Sequence, residues 1–222
     1  MTAAHVLIPV KALGLAKSRL AHVLEPEIRA DLVLAMLRDT LDATLASGDL
    51  DVTIVTSDPH AAAVASACGA RVFPDPGPPG AGSTGAERLN AALNAAAAHV
   101  RHRTPGIGLI ALQADLPALR PHELVSALDD ARQVGRAIVE DHTGLGTTAL
   151  LHCVPHEPLH AMFGADSARR HVESGARALT GDLPGLRLDV DTVADLEAAA
   201  RLGTGPATAS VLVRIGFAVP AK

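Results

Sequence analysis

The chain predicts an α/β domain with a mostly parallel central sheet. Two observations carry that expectation. Short apolar, β-branched runs alternate with longer helical patterns from one end of the sequence to the other. At 222 residues the chain is one large domain or two small ones, and a chain of this size buries about 70% of its unfolded surface.

The elements follow in order. Val6 to Val10 reads as a buried first strand, and Pro26 opens a long helix whose apolar face runs Ile28, Leu32, Met36, Leu37, Leu41 and Leu45, stopped by Gly48. Val52 to Thr56 is a β-branched second strand, Pro59 starts an alanine-rich helix that Gly69 ends, and Arg71 to Phe73 is a short third strand. Pro74 to Gly85 is a long Pro/Gly loop, read as a lid or an insertion. A helix from about Glu87 to Val100 leads to a strand at Ile107 to Leu112 and a helix from Pro121. Strands are expected at Ala137 to Glu140 and Thr148 to His152, around a glycine-rich loop. A helix near Ser167, a strand at Leu186 to Val190 and a helix from Val193 complete the core. The apolar stretch Val211 to Val219 is open between a strand, a homodimer contact through Val211, Leu212 and Val213, and disorder.

Composition excludes several functions. Hydrophobic content of 48% against 19% charged rules out a disordered chain. A net charge of −5 argues against a nonspecific polyanion binder. Without Trp or Tyr and with only Phe73, Phe163 and Phe217, the chain lacks stacking platforms for single-stranded nucleic acid. Cys68 and Cys153 match no metal or redox spacing and read as buried thiols. The N-terminal apolar run is too short for a signal peptide or a membrane span of ~20 residues, so a cytoplasmic protein is expected. No GxxxxGK[ST], GxGxxG or GxSxG pattern is present. His152, His156 and His160 stand four apart, but Pro155 and Pro158 keep them off one helical face.

The chemistry-bearing residues lie beyond strand ends, where parallel sheets bind ligands. Lys11, Lys17 and Arg19 after the first strand form a candidate phosphate clamp, or are ordinary solvated charges. Asp115 follows the fourth strand, and Asp189 and Asp191 project to one face of an extended segment. These hard oxygen donors suit Mg²⁺, with a helix N-cap as the other reading of Asp191. Gly144 to Thr148 offers backbone N–H groups and hydroxyls to an anion, and Ser167 is placed as the N-cap of its helix.

Taken together, PVKALGLAKSRL, VTSD, LQADLPAL, GLGTTAL, FGADSARRH, LRLDVDTVADL and the closing GTGPATA resemble the 2-phospho-L-lactate / phosphoenolpyruvate guanylyltransferase family of coenzyme F-420 biosynthesis, related to the molybdenum-cofactor guanylyltransferases. The resemblance implies a single three-layer α/β/α domain of the nucleotide-diphospho-sugar transferase (Rossmann-like) fold over residues 1–209, followed by a tail, 210–222. It implies transfer of GMP from GTP to a phosphorylated three-carbon acid, phosphoenolpyruvate or 2-phospho-L-lactate, with Mg²⁺ and with no nucleic-acid or membrane partner. Thr147, Gly164 and Ser167 match the family's acceptor-binding positions, and Asp115, Asp189 and Asp191 its metal ligands. Lys11, Lys17 and Arg19 fit neutralisation of the leaving pyrophosphate. Asp58 and Asn90 are candidates for the nucleotide, with capping or surface roles as the alternative for each. Relatives carry Gly-Thr-Gly-Thr where this chain has Gly144-Leu145-Gly146-Thr147, so one hydroxyl is missing from the loop. The same fold acting on another phosphorylated acceptor, or a non-catalytic nucleotide sensor, are the rival readings.

Overall fold

The computed structural model describes residues 4–11, 13 and 17–217. Its strands are β1 (Ala4–Pro9), β2 (Leu50–Val55), β3 (Arg71–Phe73), β4 (Leu109–Leu112), β5 (Arg136–Glu140), β6 (Thr147–His152) and β7 (Arg177–Ala178). They form one sheet of order β3-β2-β1-β4-β6-β5-β7. Val6 of β1 sits between Val52 of β2 and Ile110 of β4 in parallel register. Only β6 runs antiparallel, to both β4 and β5. The helices are α1 (Pro26–Leu45), α2 (Pro59–Ala67), α3 (Gly85–Arg103), α4 (Pro121–Val134), α5 (Ser167–Glu173), α6 (Pro184–Arg187), α7 (Val193–Leu202) and α8 (Pro206–Arg214). Among the described residues no helix is long and apolar enough to cross a membrane.

Alternation along each strand divides the core into two layers. Val6 and Ile8 pack with Leu37 and Leu41 of α1, Ala61 of α2 and Leu124 of α4. Leu7 points the other way, to Leu93 and Ala96 of α3 and to Phe163. The back of α1, through Leu32 and Met36, packs on Leu196 of α7 and on Val211 and Leu212 of α8.

Several expectations need correction. Leu186 to Val190 is not a strand: Pro184 opens the short α6, and Leu188 and Val190 are buried in irregular chain whose Val190 N–H bonds the Asp115 carbonyl at 3.1 Å rather than a ladder. The strand at that edge is β7, paired with β5 through Ala137 and Ile138. The stretch from Val211 is helical as far as Arg214, and residues 218–222 lie outside the described residues. Ala209 lies within α8. The buried Asp39 carboxylate of α1 accepts from the Ala207 and Thr208 N–H groups at 3.0 and 2.7 Å, two of the free donors of the α8 N-terminus. Val211 and Leu212 are therefore covered by the chain's own helices, and Val213 is exposed. Cys68 and Cys153 are free and half-buried rather than fully buried, and burial raises both thiol pKa values.

Candidate active site

The sheet order reverses direction between β1 and β4, and the loops leaving these two strands open a groove at their carboxyl ends. The groove has three joined parts. A cavity of about 600 Å³ is walled by Asp141, Thr147, Gly164, Ser167 and Asp189. A second, of about 270 Å³, shares Gln113 and Asp191 with it and reaches Lys11, Lys17 and Asp115. A third, of about 380 Å³, continues from Lys11 past Val55 to Gly85 and Arg88.

Carboxylates meet at the centre. Asp115 is held by its neighbours' backbone, because the Thr40 hydroxyl accepts from Leu116 N–H at 3.1 Å and faces the Ala114 carbonyl at 3.3 Å. The Val190–Asp115 backbone bond brings Asp189 and Asp191 across to the same place. Asp191 is not a helix cap: Thr192 caps α7 in a reciprocal box with Asp195. The Lys17 ammonium bonds Asp115 and, at 2.7 Å, Asp191. Arg19, exposed, stands 3.7 Å from Asp191.

Among the described residues the Lys17 ammonium bonds two of the three carboxylates and leaves Asp189 without a lysine contact, and the electrostatics follow from that arrangement. Burial, then the charges of Asp115 and Asp191, push Asp189 up to about 7 although Lys17 opposes them. Burial would also raise Asp191, but Lys17 holds it below the usual carboxylate range. Burial would lower the Lys17 pKa, and the two aspartates outweigh it and raise it. The second Asp115 oxygen, Oδ1, is buried without a hydrogen-bond partner. Among the described residues no three His, Cys, Asp or Glu side chains converge as a ready-made metal cluster, and Lys17 is the ammonium that pairs with Asp115 and Asp191.

Of the expected clamp, Lys17 and Arg19 both meet Asp191, and Lys11 lines the same cavity as Lys17. Lys17 has φ of 53° and turns toward the carboxylates, whereas Lys11 Nζ lies 3.3 Å from where a Cβ on Gly85 would stand. Asp58 caps α2 through His60 and Ala61 N–H, and its other oxygen accepts from Leu13 N–H at 3.1 Å. Burial opposes ionisation of Asp58, but these backbone donors keep its pKa below the ordinary carboxylate value. Asn90 pairs through both amide atoms with the Phe163 backbone, at 2.8 and 3.0 Å. Both side chains hold loops of the groove.

Asp141, a residue the sequence reading did not single out, organises the glycine loop. Its Oδ1 accepts from Thr143 and Leu145 N–H, and Oδ2 from Gly146 N–H at 2.9 Å. A Cβ on Gly146 would stand 2.3 Å from that Oδ2 and would displace the carboxylate. Leu145 is 63% exposed and binds through its backbone, accepting from Ala168 N–H. Thr147 opens β6 at the cavity wall, with its hydroxyl 3.1 Å from His171 Nδ1. Gly164 has φ of 119° and passes so close to Ala86 that a Cβ would come within 2.8 Å. Ser167 is the first residue of α5 rather than its cap, because Asp166, at φ of 51°, precedes it as N-cap. His142 was also missed: its ring reaches Asp195 at 3.2 Å and Asp189 at 3.8 Å. Asp141 and His142 have no sequence signal beyond their place after a strand.

Comparison with known proteins bears on this groove. The family described as guanylyl transferase CofC like matches residues 4–222. A phosphoenolpyruvate guanylyltransferase of Nocardia farcinica is 54% identical, covering 97% of this chain and 93% of that protein. Another, from Rhodococcus opacus, is 50% identical over 98% and 93%. A Desulfovibrio desulfuricans protein described as a nucleotide-diphospho-sugar transferase has the same fold, with a TM-score of 0.69 at 19% identity over 97% of this chain and 96% of that one. The Mycobacterium tuberculosis protein Rv0371c, solved with manganese, has a TM-score of 0.50 at 22% identity, over 90% of this chain and all of that one. A nucleotide-diphospho-sugar transferase fold and a near full-length match to guanylyl transferases lead to one conclusion: the chain is a nucleotidyltransferase and belongs to the CofC-like guanylyl transferase family.

Proposed function

We propose that the enzyme transfers GMP from GTP to phosphoenolpyruvate, forming enolpyruvoyl-2-diphospho-5′-guanosine and pyrophosphate, as a step of coenzyme F-420 biosynthesis. The observation that carries the reading is the junction of two unlike halves in one groove. A cavity walled by Thr147, Gly164 and Ser167 opens onto the under-neutralised carboxylates Asp115, Asp189 and Asp191. The names of relatives about half identical support phosphoenolpyruvate as the acceptor.

The reaction asks little proton chemistry of the protein. A phosphomonoester is mostly dianionic at neutral pH, so its oxygen attacks the α-phosphorus without a general base, and the bond to the β-phosphate oxygen breaks as pyrophosphate leaves. The residues must instead align two polyanions and compensate their charge. In this reading Thr147 and Ser167 hold the acid, while Lys11 and Arg19 stand where phosphates arrive.

The carboxylates fit a divalent cation: Asp115 Oδ1 lacks a partner, burial and the charges of Asp115 and Asp191 raise Asp189, and all the donors are hard oxygens. Asp115, Asp189 and Asp191 would hold Mg²⁺, which when bound screens the two substrates from each other and draws charge from the α-phosphate.

Pyrophosphate release is the test, with GTP and Mg²⁺ and either phosphoenolpyruvate or 2-phospho-L-lactate, the product being identified by mass spectrometry. Release with phosphoenolpyruvate and its loss in Asp115→Ala are expected. Release with 2-phospho-L-lactate alone reassigns the acceptor, and release with neither, from folded protein, overturns the reading.

A further inference from the structure

His171 is fully buried on α5, and its ring joins three walls of the acceptor cavity. Nδ1 lies 3.1 Å from the Thr147 hydroxyl at the start of β6. Nε2 lies 3.0 Å from the backbone N of Met162, in the segment leading to Gly164. The ring also packs edge-on against Phe163, at 5.3 Å between centroids.

The proton positions follow from elementary hydrogen-bond inventory. A backbone N–H can only donate, so Nε2 must accept from Met162. A neutral imidazole then carries its proton on Nδ1. Nδ1–H therefore donates to Thr147, whose oxygen accepts. Burial, with Arg136 nearby, lowers the His171 pKa to about 4, so the ring is neutral across the physiological range. Among the described residues nothing else in the protein takes the Thr147 hydroxyl proton. Thr147 lines the cavity, so that proton is free to point into it.

We infer that His171 is a positioning residue: by donating to Thr147 it turns the threonine hydroxyl into a fixed hydrogen-bond donor aimed at the phosphorylated acid. The inference rests on the acceptor cavity proposed above. It also defines the ligand chemistry at that point. The group met by Thr147 must present an acceptor, as an oxygen of a phosphate or carboxylate does.

A double-mutant cycle on the full chain tests this, with KM for phosphoenolpyruvate as the readout and KM for GTP and thermal melts as controls. Gln in place of His171 reaches Met162 with its amide oxygen at the Nε2 position and places no nitrogen at the Nδ1 position beside Thr147. Thr147→Val is expected to raise KM for the acid about 10- to 100-fold, the value of one hydrogen bond to a charged group. His171→Gln is expected to raise it about tenfold, and to add nothing in the Thr147→Val background. Multiplying effects overturn the positioning role and leave His171 as packing. An unchanged KM for the acid in Thr147→Val overturns the acceptor-cavity reading itself. Carbon chemical shifts of the His171 ring in the native enzyme test the tautomer without any substitution. An Nδ1–H signature is expected, and Nε2–H overturns the inference.

Discussion

Replacing Lys17 by Met removes the ammonium that bridges Asp115 and Asp191 and leaves three carboxylates together without it. The magnitude follows from burial. The side chains of Lys17 and Asp115 are 9% and 18% exposed, so their pair counts as buried, and removing one partner of such a pair costs about 3–5 kcal/mol. Asp191 is 50% exposed, and its share is at most about 1 kcal/mol. Charge repulsion relieved by protonation of Asp189, whose pKa is already raised to about 7, offsets part of the loss. A net destabilisation of about 3 kcal/mol is expected, or about 6–12 °C in melting temperature for a chain of this size. The assay is urea unfolding in EDTA and again with excess Mg²⁺. Native-like stability of Lys17→Met in EDTA would refute the ion-pair geometry, and absence of any Mg²⁺ rescue would refute the claim that these carboxylates fit a divalent cation.

Three further outcomes are expected. His5, His152 and His171 are buried with pKa values lowered to about 4 against 6.5, so the unfolded chain binds more protons between those values. Stability is then full above about pH 6.5 and falls as pH drops toward 4, by at most about 3 kcal/mol per histidine, as a pH series of urea melts would read. Asp39→Ala strands two N–H groups of α8 and is expected to lose about 2–4 kcal/mol, with amide exchange rising first in Pro206–Arg214. Gly146→Ala drives a Cβ into the Asp141 carboxylate and is expected to raise KM for the acid far more than KM for GTP. Equal effects on both substrates would separate the glycine loop from acceptor binding.

Much of the fold was legible because strand and helix signals are local. Proline at the start of α1, α2 and α4, and β-branched runs at β1 and β2, mark those elements within a few residues. The error at Leu186 to Val190 has the same origin. Alternating apolar residues mean burial on one side, and here buried, irregular chain satisfies that pattern without a neighbouring strand. Conversely β7, two residues with an exposed arginine, carries no periodicity to read.

By itself the sequence determined the alternating architecture, the residue types needed for charge compensation, and the resemblance that located Asp115, Asp189, Asp191 and Thr147. Only the tertiary structure decided which polar group meets which. Lys17 joins the carboxylates, across separations of 98 and 174 residues. Asp58 and Asn90 turn to loop backbone, and His171 turns to Thr147. Hydrogen bonds and ion pairs depend on distances of a few ångströms in space, which chain separation does not encode, whereas secondary structure depends on neighbours that the chain itself supplies.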